Sequence, residues 1–263
     1  MVRLNAKFFV VLLATFAAIA TTAKAGPLSY DEAMTLYYKG DFAGAAQMLR
    51  KLADRGNATA QRDLGRMYAK GEGVPKDEDE ARKLFKTANE QADALKSYNQ
   101  GDFATALRVF RPLADQGQPL AEYILGLMYA NGQGVPENYP VALTWLQKAG
   151  EQGEAKAQFA VGVIHFKGLG MPKNDDEAFK WYRRAADQGL AVAQFNLGAM
   201  YAKGQAVTKD VVTAYMLYSL AASFGIKAAG TARDQLAKTM TADQIAQAEK
   251  MAKDWKPKFE VMN

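Results

Sequence analysis

The chain states one glycine-rich phrase four times. It reads Leu64-Gly65-x-x-Tyr68-x-x-Gly71-x-Gly73-Val74, then Leu125-Gly126-x-x-Tyr129-x-x-Gly132-x-Gly134-Val135. The third copy is Val161-Gly162-x-x-His165-x-x-Gly168-x-Gly170-Met171, and the fourth is Leu197-Gly198-x-x-Tyr201-x-x-Gly204-x-Ala206-Val207. Successive copies are 61, 36 and 36 residues apart, counted between Gly65, Gly126, Gly162 and Gly198. A fixed period in this range builds a row of stacked supersecondary units, because one such unit cannot bury its apolar face alone.

Each repeat reads as two helices. In residues 155–189, Ala157, Val161, Ile164 and His165 recur at helical spacing and mark one face. Gly168 and Gly170 end that helix. Asn174 then stands where a second helix starts, and Asp77, Asn138 and Asp210 take the same register elsewhere. Asn and Asp cap the free N–H groups of a helix N-terminus. Ala178, Trp181 and Ala185 mark the buried face of the second helix, and a bulky neighbour such as Trp145 or Trp181 is expected to fill the space left by the mid-helix glycine. Gly153, Gly189 and Gly225 close the repeats, whereas Ala92 stands in the first.

The additional length in the 61-residue step also repeats. Gly40-Asp41-Phe42-Ala43 to Gly56 recurs as Gly101-Asp102-Phe103-Ala104 to Gly117, a shorter-looped hairpin before a full unit. The expected organisation is a solenoid over 26–228. Its short hairpins are about 28–56 and 93–117, and its full repeats about 58–92, 119–153, 155–189 and 191–225. Residues 229–263 form a helical cap whose last helix opens on the capping-box pattern Thr241-x-x-Gln244. The fold class is all-α, an α-solenoid of stacked antiparallel helix hairpins.

The first 25 residues read as a secretory signal peptide. Arg3 and Lys7 precede the apolar run Phe8–Ala20, and Ala23-Lys24-Ala25 fits a cleavage site that would leave Gly26 first. The run is short for a membrane span of about 20 residues, and no later segment is apolar enough to serve. Arg3, Lys7 and Lys24 supply three of the five net positive charges, leaving +2 for the remainder, so nothing in the charge favours nucleic acid. With no cysteine in the sequence, packing has to hold an exported chain together without disulfides.

These residues resemble the Sel-1-like repeat family, a branch of the tetratricopeptide-like α-solenoids. The family signature is visible from Ala121 to Ala149, the two short hairpins look like ordinary tetratricopeptide units, and the segment from Met240 resembles the C-terminus of bacterial members. The resemblance implies a protein-binding scaffold. Some exported relatives are cysteine-rich, with a β-lactam-linked activity; a chain without cysteine inherits neither their disulfides nor that activity.

No catalytic set stands out. The single histidine, His165, occupies the register of Tyr68, Tyr129 and Tyr201 and reads as a half-buried structural ring. One histidine and no cysteine leave no His/Cys zinc site, so no metal or cofactor is expected. The Gly-x-Gly loops join two helices and lack the further residues of a phosphate cradle. The acidic runs Asp77–Glu80 and Asp175–Glu177 fall in first helical turns, where they complement the helix dipole.

A partner is expected on a stripe of the first helices, at nine, five and two residues before the first loop glycine. The resemblance places this stripe on the concave face of the solenoid. Its candidate contacts are Arg62, Arg66, Tyr123, Leu127, Phe159, Val163, Phe166 and Phe195. They would take an apolar or aromatic peptide with an acidic flank near Arg62 and Arg66. The alternative is that Tyr123, Phe159 and Phe195 fill space between hairpins. The expected function is a non-enzymatic protein- or peptide-binding adaptor of the bacterial cell envelope, exported to the periplasm, with secretion as the alternative. An envelope hydrolase working through carboxylates and a self-associating structural protein are the alternatives.

Overall fold

The computed structural model describes residues 30–258, and every regular element among them is an α-helix. The expected signal peptide, the new terminus at Gly26 and the start of the hairpin expected from residue 28 lie outside the described residues. The chain divides into two compact units, residues 1–152 and 153–263.

The first unit holds α1 (Tyr30–Tyr38), α2 (Phe42–Asp54), α3 (Ala58–Lys70), α4 (Glu78–Asn99), α5 (Phe103–Asp115), α6 (Pro119–Asn131) and α7 (Tyr139–Glu151). Each helix packs on its neighbours in sequence, with α3 on α4 and α6 on α7 as the long-looped hairpins. The core at the α1–α3 end is built from Ala33, Ala45, Ala46, Leu49, Leu52, Ala53, Ala60, Leu64 and Met67. Alanine on so many buried positions lets helix backbones approach closely.

The structure differs from the expected hairpin boundary at 92/93. There α4 runs unbroken for 22 residues and serves both as second helix of one repeat and as first helix of the next short hairpin. The other repeats turn at Gly153, Gly189 and Gly225 with φ of 84°, 89° and 89°; Ala92 offers no such residue, so the helix continues. The first unit is in consequence a doubled 61-residue block. Tyr37 packs its ring on Phe42 and donates its hydroxyl to Glu72 at 2.8 Å. Sixty-one residues on, Tyr98 packs on Phe103 and donates to Gln133 at 2.8 Å. Asp41 and Asp102 cap α2 and α5 in the same way. Gly73 and Gly134 lie with φ of 70° against Phe42 and Phe103 respectively, where a Cβ would collide with the Phe42 backbone and crowd Phe103.

The second unit holds α8 (Ala155–Lys167), α9 (Asp175–Asp187), α10 (Ala191–Lys203), α11 (Val211–Ser223), α12 (Lys227–Ala237) and α13 (Ala242–Asp254). The expected caps are present in both units: Asp77, Asn138, Asn174 and Asp210 accept backbone N–H groups at the starts of α4, α7, α9 and α11. Both hydrogen bonds of the capping box form, Gln244 N–H to Thr241 at 3.2 Å and Thr241 N–H to Gln244 at 3.0 Å. Helices α12 and α13 both cover α11. Beyond α13 the chain returns to the α9–α10 turn, where the Lys258 N–H donates to the Asp187 carbonyl at 2.7 Å and the Trp255 ring lies over Gly189.

The mid-helix glycines are filled by other residues than the expected tryptophans. A Cβ at Gly65 would meet Phe85, at Gly126 Leu146, at Gly162 Tyr182 and at Gly198 Tyr218. Leu146 and Tyr218 stand four residues after Ala142 and Ala214, hence on the face that meets the first helix. Trp145 and Trp181 are one step, or about 100°, away. Their rings lie instead beside Lys148 and Arg184, at 4.4 and 4.5 Å.

Candidate functional site

The residue that fills each glycine in the second unit also braces the candidate stripe. Tyr182 stands 5.5 Å from the Phe159 ring and 6.2 Å from the Phe166 ring, and Lys173 sits 5.2 Å over the far ring. One repeat on, Tyr218 stands 5.7 Å from Phe195. Phe166 and Phe195 are half-buried; Phe159 and Val163 are only 7% and 2% exposed.

In the first unit, Tyr123 and Leu127 are 2% and 0% exposed, Arg62 is half-buried and Arg66 is exposed. Arg66 pairs with Asp63, which also accepts the Tyr30 hydroxyl. Burial, and then that hydrogen bond, raises the Tyr30 pKa to about 12. Asp63 was not among the residues expected on the stripe, although it lies beside Arg62 in sequence. It places a carboxylate where only positive charge was expected.

The signature tyrosines are structural. Tyr68 receives the Arg50 guanidinium at its hydroxyl and against its ring, and Tyr129 receives Arg111 at 3.0 Å. Their counterpart His165 is 8% exposed, more buried than expected, and neither ring nitrogen has a hydrogen-bond partner among the described residues. Burial lowers its pKa, with the Glu177 charge opposing. The acidic runs are likewise engaged: Glu80 binds Arg50, Asp175 accepts from Lys173 and Gln205, and Glu177 binds Lys180. Among the described residues no cluster of His, Asp and Glu could hold a metal ion, and no helix is long and apolar enough to cross a membrane.

A second internal register went unread in the sequence. Gln61, Glu122, Gln158 and Gln194 each stand four residues before a mid-helix glycine, and all are at most 2% exposed. The Gln61 amide donates to the Ala53 carbonyl at 3.1 Å, and that of Gln194 to the Ala186 carbonyl at 3.4 Å. The Gln188 amide donates to Gln158 at 2.8 Å, and the Gln152 amide to Glu122 at 2.7 Å. Repetition of polar residues at one core position was the available signal.

The Sel1 repeat family matches residues 58–93, 119–154, 155–190 and 191–223. Among solved structures, the chain is 28% identical to a Sel1 repeat protein from Oxalobacter formigenes, over 87% of this chain and 100% of that one, with a TM-score of 0.52. It is 27% identical to a protective antigen of uropathogenic Escherichia coli displaying an SLR fold, over 94% of this chain, with a TM-score of 0.44. The chain spans 64% of that antigen's length. A comparison with curated proteins found no match.

Proposed function

The chain belongs to the Sel1 repeat family, and from that premise we propose that it is a non-enzymatic scaffold binding a protein or peptide at the bacterial cell envelope. The observation that carries this reading is the aromatic stripe on α8 and α10, repeated in register and braced from behind by Tyr182 and Tyr218. A braced ring loses little side-chain entropy when a ligand covers it, which favours affinity. In the second unit Phe166 and Phe195 are the half-buried rings a ligand would cover, and Phe159 and Val163 lie beneath them. In the first unit the same register holds Arg62 and Arg66 at the surface, with Tyr123 and Leu127 buried beneath it. The Arg66–Asp63 pair is exposed on the arginine side, so it holds Arg66 by no more than about 1 kcal/mol and a carboxylate of the partner can compete for it. The N-terminal sequence supports export, with the periplasm as the compartment proposed.

In-cell crosslinking of tagged chain, exported by its own N-terminal sequence, tests this reading. The control is an Arg62→Ala/Phe166→Ala/Phe195→Ala variant, since these positions are less buried than Tyr123 or Phe159. One or two dominant partners captured by the wild type and lost in a control of unchanged Tm is the expected result. A Tm drop of several degrees without loss of a partner assigns the stripe to packing instead. No enrichment in either sample overturns the adaptor reading.

A further inference from the structure

We propose that Glu122 is a pH-sensitive latch of the first unit, closed when its carboxyl is protonated and loosened when it ionises. The buried glutamines set the pattern from which Glu122 departs. Gln61 and Gln194 each donate to the carbonyl eight residues earlier, Ala53 or Ala186. That carbonyl also takes the N–H of the turn glycine, Gly56 or Gly189, at 2.9 Å. The corresponding carbonyl of the α5–α6 turn is Ala114, which takes the Gly117 N–H at 2.9 Å. Glu122 occupies the glutamine register before it, so a carboxyl stands where the other sites use an amide donor.

A carboxylic acid has one donor and one acceptor oxygen, and so reproduces a glutamine amide; a carboxylate has no donor. One Glu122 oxygen is committed as acceptor to the Gln152 amide at 2.7 Å, as Gln158 is to Gln188. By analogy with Gln61 and Gln194, the other oxygen is the group that would serve the Ala114 carbonyl, and it can do so only when it carries a proton. At 2% exposure, little water reaches the carboxyl to compensate its charge. Of the charged groups around it, Lys148 on α7 favours ionisation. Asp115 of α5 is ion-paired with Arg111 at 3.6 Å. Arg55, from the α2–α3 turn, is bound to the Gln152 carbonyl at 2.7 Å. Burial outweighs Lys148 and the Gln152 hydrogen bond, and raises the Glu122 pKa. Gln152 thus links three parts of the unit, taking Arg55 on its carbonyl and giving its amide to Glu122.

The folded pKa lies above the unfolded one, so the folded state binds more protons between the two, and stability is lost as pH rises through that window. Melting curves of the full chain and of Glu122→Gln, each from pH 4.5 to 8.5, test the latch. All other titrating groups are shared, so they cancel in the difference. The Tm values should nearly coincide at pH 4.5, with Glu122→Gln higher by about 3 °C at pH 8.5. The Glu122 carboxyl carbon in the wild type, followed by NMR, should titrate above the ordinary glutamate value of about 4.3. A Tm difference independent of pH, or a Glu122 midpoint at or below that value, overturns the proposal; the NMR arm does so even if the variant fails to fold.

Discussion

Ala206 is the one non-glycine among the described residues with a positive φ, 59°, at the loop position held by Gly73, Gly134 and Gly170 in the other repeats. The turn keeps its geometry and the alanine carries the strain. An L-residue in the left-handed region costs about 1–2 kcal/mol, partly offset by the smaller entropy it loses on folding. Ala206→Gly should therefore stabilise the second unit by about 0.5–1 kcal/mol, read from urea denaturation midpoints. His165 carries a different kind of strain, a buried ring with no hydrogen-bond partner. Its folded pKa is lowered, so its neutral form contributes stability that is present above about pH 6.5 and lost as pH falls, because the unfolded chain then binds the extra proton. Replacing it with the tyrosine of the other repeats should flatten that acid limb. The Tm advantage of His165→Tyr over wild type is expected to grow from pH 7.5 to 5.5.

Between hairpin partners, the decisive contact is a glycine on one helix against a large side chain on the other. Alanine at Gly162 gains about 1 kcal/mol of helix propensity. Its Cβ would stand only 2.6 Å from the Tyr182 ring, which is 2% exposed and also wedged between Phe159 and Phe166. Overpacking of about 1–3 kcal/mol should win, making Gly162→Ala destabilising. At Gly198 the nearest ring atom is at 3.0 Å, so Gly198→Ala should cost less in the same thermal melt. The helices, their caps and the closing glycines were legible in the sequence because each depends on local chemistry: an Asn or Asp before an N-terminus, a glycine at a left-handed turn. The partner of each glycine was not. Trp145 and Leu146 are adjacent, both are large, and only the phase of α7 against α6 decides between them. Composition says little about helical phase over two turns. The stripe was legible as a periodicity, but the exposure of its members was not, since Phe159 and Phe195 share a register and differ in burial. Asp63 escaped notice for a related reason: its role comes from Tyr30, 33 residues away.

Within each unit the chain stacks helices that are neighbours in sequence, and the two units are built to different plans. The second unit ends on a cap whose outer helix buries only Ala248 and whose following residues return to Gly189. Trp255→Ala should lower the stability of that unit by about 1–2 kcal/mol, less than for a fully buried tryptophan because this one is half-buried. Hydrogen exchange should show the loss at the α9–α10 turn as well as in the tail. The first unit is governed by α4. At about 1.5 Å per residue its 22 residues extend roughly 33 Å, and no turn divides the repeat it closes from the hairpin it opens. Such a helix has a bearing on inheritance. In the second unit a gene can gain or lose 36 residues between α8 and α11 and leave every turn in phase. In the first, the same excision would cut through a helix owned by two modules at once, so the smallest segment that can be copied or discarded intact is 61 residues long.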